Sequence, residues 1–150
     1  MYITPWLRSP EPQIRDAIMV MAWTDELSIG LAAVDAQHKG IIETLARLCE
    51  TAATDMSWEA TLALSGDMID LFEHHFSCEE MFMRSIRYPG VESHVEAHSA
   101  FFTDFSGVIY RIEKRDGGVV GDLVKCVRSW AFDHVTILDR EIARYVAEIG

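Results

Sequence analysis

Residues 64–80 read LSGDMIDLFEHHFSCEE, where apolar residues recur at helical spacing up to a group of histidines and glutamates. Met68 and Phe72 are four residues apart, and His75 continues the same side three residues later. Side chains three or four residues apart lie on one side of an α-helix, so this side should face a core. Glu79 follows His75 by four residues and shares that side. The stretch therefore predicts a helix that carries a histidine and a carboxylate into the protein interior.

Three further stretches repeat this apolar helical pattern. The periodicity predicts four helices in all, at residues 35–54, 57–86, 91–115 and 119–148. Pro89-Gly90 ends the second and Gly117-Gly118 ends the third, whereas strand signals are almost absent. Segment 22–34 is predicted to be a loop that leads into the first helix. Four long helices with short connections favour an all-α fold, an up-down-up-down antiparallel four-helix bundle.

The chain of 150 residues is long enough for one domain with a proper core. Residues 22–150 are assigned to the bundle, and residues 1–21 to an N-terminal extension. Three of the four prolines lie in this extension and favour a loose tail. It does not resemble a signal peptide, because its apolar run is short and follows charges and prolines. Met21 is an alternative start of the chain.

The charge of the chain limits its partners. Thirteen basic and 24 acidic residues give a formal net charge of −11. Because such a chain repels phosphate groups, neither nucleic acid nor an anionic membrane surface is an expected partner. No apolar run reaches the ~18 residues that span a bilayer. Cys49, Cys78 and Cys126 form no CxxC pair, which disfavours a disulfide framework or structural zinc and favours buried thiols. We expect a cytoplasmic protein.

The other predicted helices also carry histidines on their apolar sides. His38 lies on that side of the first helix, and His134 on that of the fourth. His94 and His98, four residues apart, share the apolar side of the third. With His75, five imidazoles then point into one small interior. Each buried polar group without a partner costs about 1–3 kcal/mol, so a common partner is needed, and metal ions supply it.

Each of these residues taken alone has a simpler interpretation. One buried histidine is more often hydrogen-bonded to a carbonyl group than bound to a metal, and His-x-x-x-Glu pairs are common on exposed helix faces. HVEAH at 94–98 differs from the zinc-protease HExxH motif, because its glutamate comes one position late. Because histidines lie on the apolar sides of four consecutive helices, a metal site is favoured over these simpler interpretations. His74 and Glu80 are rotated by about 100° from their neighbours, and we expect them to face solvent or to support the ligands from outside.

The interval between His134 and Asp139 does not fit a regular helix. Five residues place two side chains about 140° apart. Either the long imidazole and the short carboxylate approach the site from two sides, or a local π-type widening brings them together. Regular α-helical hydrogen bonding throughout 130–142 would exclude the second alternative.

Four motifs resemble those of the hemerythrins, and specifically of the single-domain bacteriohemerythrins. They are VDAQH (34–38), HFSCEE (75–80), HVEAH (94–98) and WAFDHVTILD (130–139). The likeness covers residues 22–150 and implies two irons with a bridging oxide or hydroxide inside a four-helix bundle. It assigns His94, His98 and His134 to one iron, His38 and His75 to the other, and Glu79 and Asp139 as bridges between them.

This ligand set predicts dioxygen binding. Five imidazoles, two bridging carboxylates and the oxide or hydroxide leave one open position on two six-coordinate irons, on the iron with two histidines. Because imidazoles outnumber carboxylates, the set favours reversible binding over O–O cleavage, unlike the carboxylate-rich di-iron proteins. The expected walls of the oxygen pocket are Ile41, Ile42, Phe102, Trp130 and Ala131. The family often has a bulky aliphatic residue where this chain has Ala131.

The leading interpretation is a non-enzymatic, monomeric protein that binds dioxygen for storage or for delivery to oxygen-using enzymes. The first alternative is an enzyme with the same centre: a peroxidase, an NO-handling protein or an iron donor for repair. The second is an oxygen or redox sensor that acts through a separate partner protein. A visible band that forms in air and disappears on degassing favours carriage, whereas steady consumption of dioxygen or peroxide favours the enzyme.

Overall fold

The computed structural model describes residues 22–53, 58–116 and 118–150 of the chain. Its α-helices are α1 (Ala32–Ala53), α2 (Trp58–Ser85), α3 (Val91–Glu113), α4 (Val119–Ser129) and α5 (Arg140–Ile149). A π-helical segment, Trp130–Asp139, joins α4 to α5 without a break, so these three form one continuous fourth rod. A short 3-10 helix, Asp25–Leu27, precedes α1.

The four rods pack as neighbours in chain order. α1 lies against α2, α2 against α3, α3 against the fourth rod, and α4 also contacts α1. This is the pattern of an antiparallel bundle with short connections. The described ranges contain no β-strand, and the all-α four-helix prediction is confirmed. Within the described ranges, every helix is too short or too polar to span a lipid bilayer. The predicted extension at 1–21 lies outside the described residues.

The beginning of the first helix differs from the prediction. α1 begins at Ala32, inside the segment 22–34 that was predicted to be a loop, and the 3-10 helix lies in the same segment. Ala32 and Ala33 have high helix propensity but add little to an apolar stripe, so the helix begins before the periodic pattern does. The loop prediction is therefore wrong at its C-terminal end.

The core beside the buried histidines is built from aromatic rings. Phe72 is fully buried, and its ring centroid lies 4.7–5.6 Å from those of four neighbours. These neighbours are Phe76, Phe101, Phe105 and Trp130. Aromatic rings at such separations stabilise a core beyond the area that they bury. The cluster also keeps water away from the histidines that it contacts.

All three cysteines are free thiols. Cys49 is buried as predicted, whereas Cys78 and Cys126 are half-buried, which corrects the expectation for those two. Burial, with a smaller contribution from nearby Glu50, raises the pKa of Cys49 to about 12. Burial also raises the pKa of Cys126 to about 11, so both thiols stay protonated at neutral pH.

Candidate metal centre

The four rods bring seven polar side chains together inside the bundle. All seven are buried, and they are His38, His75, Glu79, His94, His98, His134 and Asp139. α1 contributes one, α2 two, α3 two and the π-helical segment two. They are the seven residues that the sequence singled out. The structure places them in two donor groups that share Glu79 and Asp139.

The first donor group consists of Glu79, His94, His98, His134 and Asp139. His98 Nε2 lies 3.0 Å from Glu79 Oε2, and His134 Nε2 lies 3.0 Å from Asp139 Oδ1. His94 Nε2 is central, at 3.1 Å from each of these oxygens and 3.0 Å from His134 Nε2. The donor atoms therefore enclose a space of the size that one metal ion needs.

The second donor group consists of His38, His75, Glu79 and Asp139. The Nε2 atoms of His38 and His75 lie 3.2 Å apart. His38 Nε2 is 3.1 Å from Asp139 Oδ2, and His75 Nε2 is 3.9 Å from Glu79 Oε2. Asp139 thus offers Oδ1 to the first group and Oδ2 to the second.

His134 and Asp139 reach the same place because the fourth rod is π-helical between Trp130 and Asp139. Hydrogen bonds in a π-helix join residues five apart, so side chains five apart come to nearly the same side. Of the two alternatives that the sequence left open, the widened helix is confirmed. It extends over 10 residues rather than a single turn.

The contacts inside the cluster are not those of an ordinary hydrogen-bonded core. Imidazole nitrogens face each other at 3.0 and 3.2 Å. His98 Nε2 and both oxygens of Asp139 have close neighbours, yet none of these contacts has the geometry of a hydrogen bond. Two donor atoms at about 2.1 Å from one metal, at a right angle, are about 3 Å apart. The residues therefore fit metal binding, and their nitrogen and oxygen donors suit iron.

Both carboxylates of the cluster are ionised. Burial raises the pKa of Glu79, but the hydrogen bond with His94 and the facing imidazole of His98 outweigh burial and lower the pKa to about 2. Burial opposes ionisation of Asp139 as well, yet the facing imidazoles, His134 first, hold the pKa of that carboxyl well below its usual range. Two negative charges in a buried space attract a cation.

The histidines of the cluster differ in protonation. Burial lowers the pKa of His75 to about 3, helped by His38 and opposed by Glu79, so His75 is a neutral donor. Burial also lowers the pKa of His94, but Asp139 and Glu79 outweigh it and raise the pKa to about 9. A metal ion that binds His94 near neutral pH therefore displaces a proton.

Two side chains outside the cluster hold its histidines in place. Gln37 Oε1 lies 2.9 Å from His75 Nδ1, and Glu80 Oε1 lies 2.9 Å from His98 Nδ1. An oxygen acceptor at Nδ1 places the proton there and leaves Nε2 free for the site. Glu80 thus occupies one of the two environments expected for it, whereas His74 is exposed. Gln37 was not predicted to support the site, and its signal in the sequence is its place in the VDAQH motif.

Most of the expected oxygen-pocket residues are buried. The Trp130 ring centroid lies 5.3 Å from that of His38 and 5.9 Å from that of His75, beside the second donor group. Ile41, Ile42 and Ala131 are also buried. Phe102 is only half-buried, and its ring faces that of Phe105 at 6.0 Å.

The aromatic ring that covers the first donor group was not predicted. Phe76 stacks on His98 with a centroid distance of 3.9 Å and an interplanar angle of 13°. Phe76 follows Phe72 by one helical turn, which was the available signal. This spacing places Phe76 near the core but does not show that it covers His98, because a ring that contacts a histidine on another helix leaves no local pattern.

Comparison with known proteins relates this site to a protein family. The family described as "Hemerythrin HHE cation binding domain" matches residues 29–146, which include all seven buried polar side chains. The chain belongs to the hemerythrin family. The resemblance drawn from the four motifs is thereby confirmed. Hemerythrins bind dioxygen at a di-iron site, and the buried cluster supplies residues able to hold metal.

Relatives of this hemerythrin-family chain include bacteriohemerythrins and a myohemerythrin. A bacteriohemerythrin of Stenotrophomonas maltophilia (strain R551-3) is 30% identical over 128 residues, which are 85% of this chain and 82% of that protein. A bacteriohemerythrin of Pseudomonas aeruginosa (strain LESB58) is 30% identical over 116 residues, 77% and 74% of the two chains. A myohemerythrin of Theromyzon tessulatum is 24% identical over 113 residues, 75% and 82%. No solved structure matches the chain significantly.

Proposed function

We propose that this hemerythrin-family protein binds dioxygen reversibly at a pair of irons, for storage or for delivery to oxygen-using enzymes. The observation that carries the proposal is the position of Asp139, whose Oδ1 faces His94 and His134 while its Oδ2 faces His38. A carboxylate divided in this way can bridge two metal ions. The assignment gives His94, His98 and His134 to the first iron, His38 and His75 to the second, and Glu79 and Asp139 to both.

The two donor groups differ in a way that favours one gas-binding position. When bound, an iron pair with a bridging oxide or hydroxide supplies reversible binding of dioxygen. Three imidazoles belong to the first group and two to the second, so the second group has fewer protein donors. The indole of Trp130 lies beside the imidazoles of this second group. The gas is therefore expected to bind on the side of His38, His75 and Trp130.

The surrounding side chains keep water out and the donors oriented. Ile41, Ile42 and Trp130 are buried, and Phe76 covers His98. An apolar shell around a metal site limits solvent access and slows irreversible oxidation of the metal. Gln37 acts from outside by fixing the proton of His75 on Nδ1. These contacts favour a reduced centre that captures a ligand and releases it unchanged.

Cycling between air and vacuum tests the proposed function. The reduced, iron-loaded protein is exposed to air and then degassed while its visible spectrum is recorded. A band that forms in air, disappears on degassing and returns on a second exposure supports reversible binding. Continuous consumption of dioxygen or peroxide in the presence of a reductant, without a recoverable band, would instead show that the centre is an enzyme.

The small side chain of Ala131 gives a second prediction. Ala131 is buried next to Trp130, where the family often has a bulky aliphatic residue. We expect two rates to be several-fold lower in Ala131→Leu than in the wild type: the release of bound dioxygen and the autoxidation of the irons. The physical reason is that a larger wall excludes water. The measurement is the rate at which the oxygenated spectrum decays in air.

The control for this comparison is Ala100→Leu, at an exposed position of α3. Since an added side chain in a packed core costs about 1–3 kcal/mol when it does not fit, Ala131→Val is examined in parallel as a smaller change. Equal decay rates for wild type, Ala131→Val and Ala131→Leu would exclude a role of this wall.

A further inference from the structure

The loop before α1 contacts the fourth rod beside the cluster. Arg140 Nη2 donates a hydrogen bond to the backbone carbonyl of Glu26 at 2.8 Å and lies 3.4 Å from that of Ser28. Arg140 directly follows Asp139, the carboxylate shared by the two donor groups. Leu27 and Ile29 alternate with the bonded residues and are buried in the core. We call residues 25–30 the strap loop.

The same loop is bonded to α1 through Asp35. Ser28 Oγ donates to Asp35 Oδ2 at 2.6 Å, and the backbone N–H of Ile29 donates to Asp35 Oδ1 at 2.9 Å. The N–H of Gly30 lies 3.3 Å from Oδ2, and the φ angle of +82° at Gly30 is one that glycine adopts without strain. Asp35 precedes His38 by three residues, or about one turn of α1.

These contacts close a circuit around one edge of the cluster. It runs from Asp139 to Arg140, through Ser28 to Asp35, along one turn of α1 to His38, and back to Asp139. The last step is the 3.1 Å contact between His38 Nε2 and Asp139 Oδ2. Every other connection in the circuit is either covalent or a hydrogen bond of the strap loop.

We propose that the strap loop sets the separation of His38 and Asp139 and so holds the second metal position. The inference rests on the proposed function, since it concerns one of the two proposed irons. His38 is the only member of the cluster on α1, and the first donor group has none there. Loosening α1 from the fourth rod therefore acts on the second position and leaves the donors of the first together.

The positioning residues are Ser28, Asp35 and Arg140, none of which reaches the metal donors. Replacing residues that hold metal ligands from outside commonly costs about 10–100-fold in metal affinity. Ser28→Ala removes one hydroxyl group, and Arg140→Gln removes the guanidinium that bonds two carbonyls. For each variant we expect the affinity for the second iron to fall at least 10-fold and the affinity for the first iron to stay unchanged.

The experiment is an anaerobic titration of the full chain with Fe²⁺, in which calorimetry measures the affinity for each iron. Its result does not depend on oxygen binding. Arg111→Gln is the matched control, because Arg111 also bonds two partners, Asp116 at 2.6 Å and Asp122 at 2.7 Å, at the turn between α3 and α4. This control should keep both irons at wild-type affinity. Arg140→Lys, which keeps a donor, should recover part of the loss.

Three results separate the possibilities. The proposal is supported if Ser28→Ala and Arg140→Gln each lower the affinity for one iron while Arg111→Gln keeps the wild-type affinity for both. It is overturned if the first two variants lower the affinity for both irons equally, or change neither affinity. If Arg140→Gln does not fold, Ser28→Ala decides, since it removes a single hydroxyl group. A wild-type chain that binds fewer than two irons would overturn the proposed function itself, before any variant is compared.

Discussion

Asp139→Asn is expected to lower the iron content from two ions per chain to one or none. Asparagine keeps the size of the side chain but replaces one carboxylate oxygen by an amide nitrogen, which has no lone pair for a metal. Asp139 is fully buried, and each of its oxygens faces a different donor group, so the change acts on both. Replacing a residue that only supports a metal ligand already lowers metal affinity about 10–100-fold. Because Asp139 is itself a proposed ligand, we expect its replacement to lower iron affinity more than ~100-fold.

The loss is measured by anaerobic titration with Fe²⁺ and by elemental analysis of the desalted protein. Asp133→Asn is the control, because Asp133 is an exposed carboxylate in the same π-helical segment and accepts a 2.9 Å hydrogen bond from Ser129 Oγ. It should retain both irons. An Asp139→Asn protein that kept two irons and a reversible oxygen band would contradict the bridging role.

Removal of the metal is expected to lower the thermal midpoint of unfolding by about 10 °C. A ligand that binds only the folded state stabilises it by about 4 kcal/mol at 1,000 times its dissociation constant. For a chain of this size, each kcal/mol shifts the midpoint by roughly 2–4 °C. Without metal, the buried polar atoms that lack hydrogen-bond partners, such as Glu79 Oε1 and His98 Nε2, contribute nothing to offset their burial.

Differential scanning calorimetry of the iron-loaded and chelator-treated protein measures this shift. His74→Ala serves as the control, since His74 is an exposed neighbour of His75, and its loaded and stripped forms should differ by the same amount as in the wild type. Identical midpoints for loaded and stripped wild-type protein would show that the cluster does not bind metal in the folded state.

The fold was predictable from the sequence because its main determinant is local. Apolar residues at intervals of three and four specify a helix and its buried side, and four such stretches leave few ways to pack. The same periodicity placed five histidines and Glu79 in the interior. The interval between His134 and Asp139 does not fit an α-helix and left two alternatives, of which the structure has the π-helical one.

The remaining features of the site depend on contacts between distant parts of the chain. Gln37 reaches His75 across 38 residues, and Arg140 reaches the carbonyl of Glu26 across 114. No local period marks such pairs, since the partner is set by packing. The strap loop likewise is fixed by Asp35 and Arg140, whose contacts form only when the rods are assembled. The start of α1 was missed for a different reason, because Ala32 and Ala33 add little to an apolar stripe.

The iron content of the wild-type chain after anaerobic reconstitution and desalting tests the central claim most directly. Seven buried donor residues form two groups that share Glu79 and Asp139. We therefore expect two irons per polypeptide, and a strong chelator should remove both. A content of one iron or fewer, under conditions where the protein is folded by circular dichroism, would contradict the paired centre and the oxygen-binding function built on it.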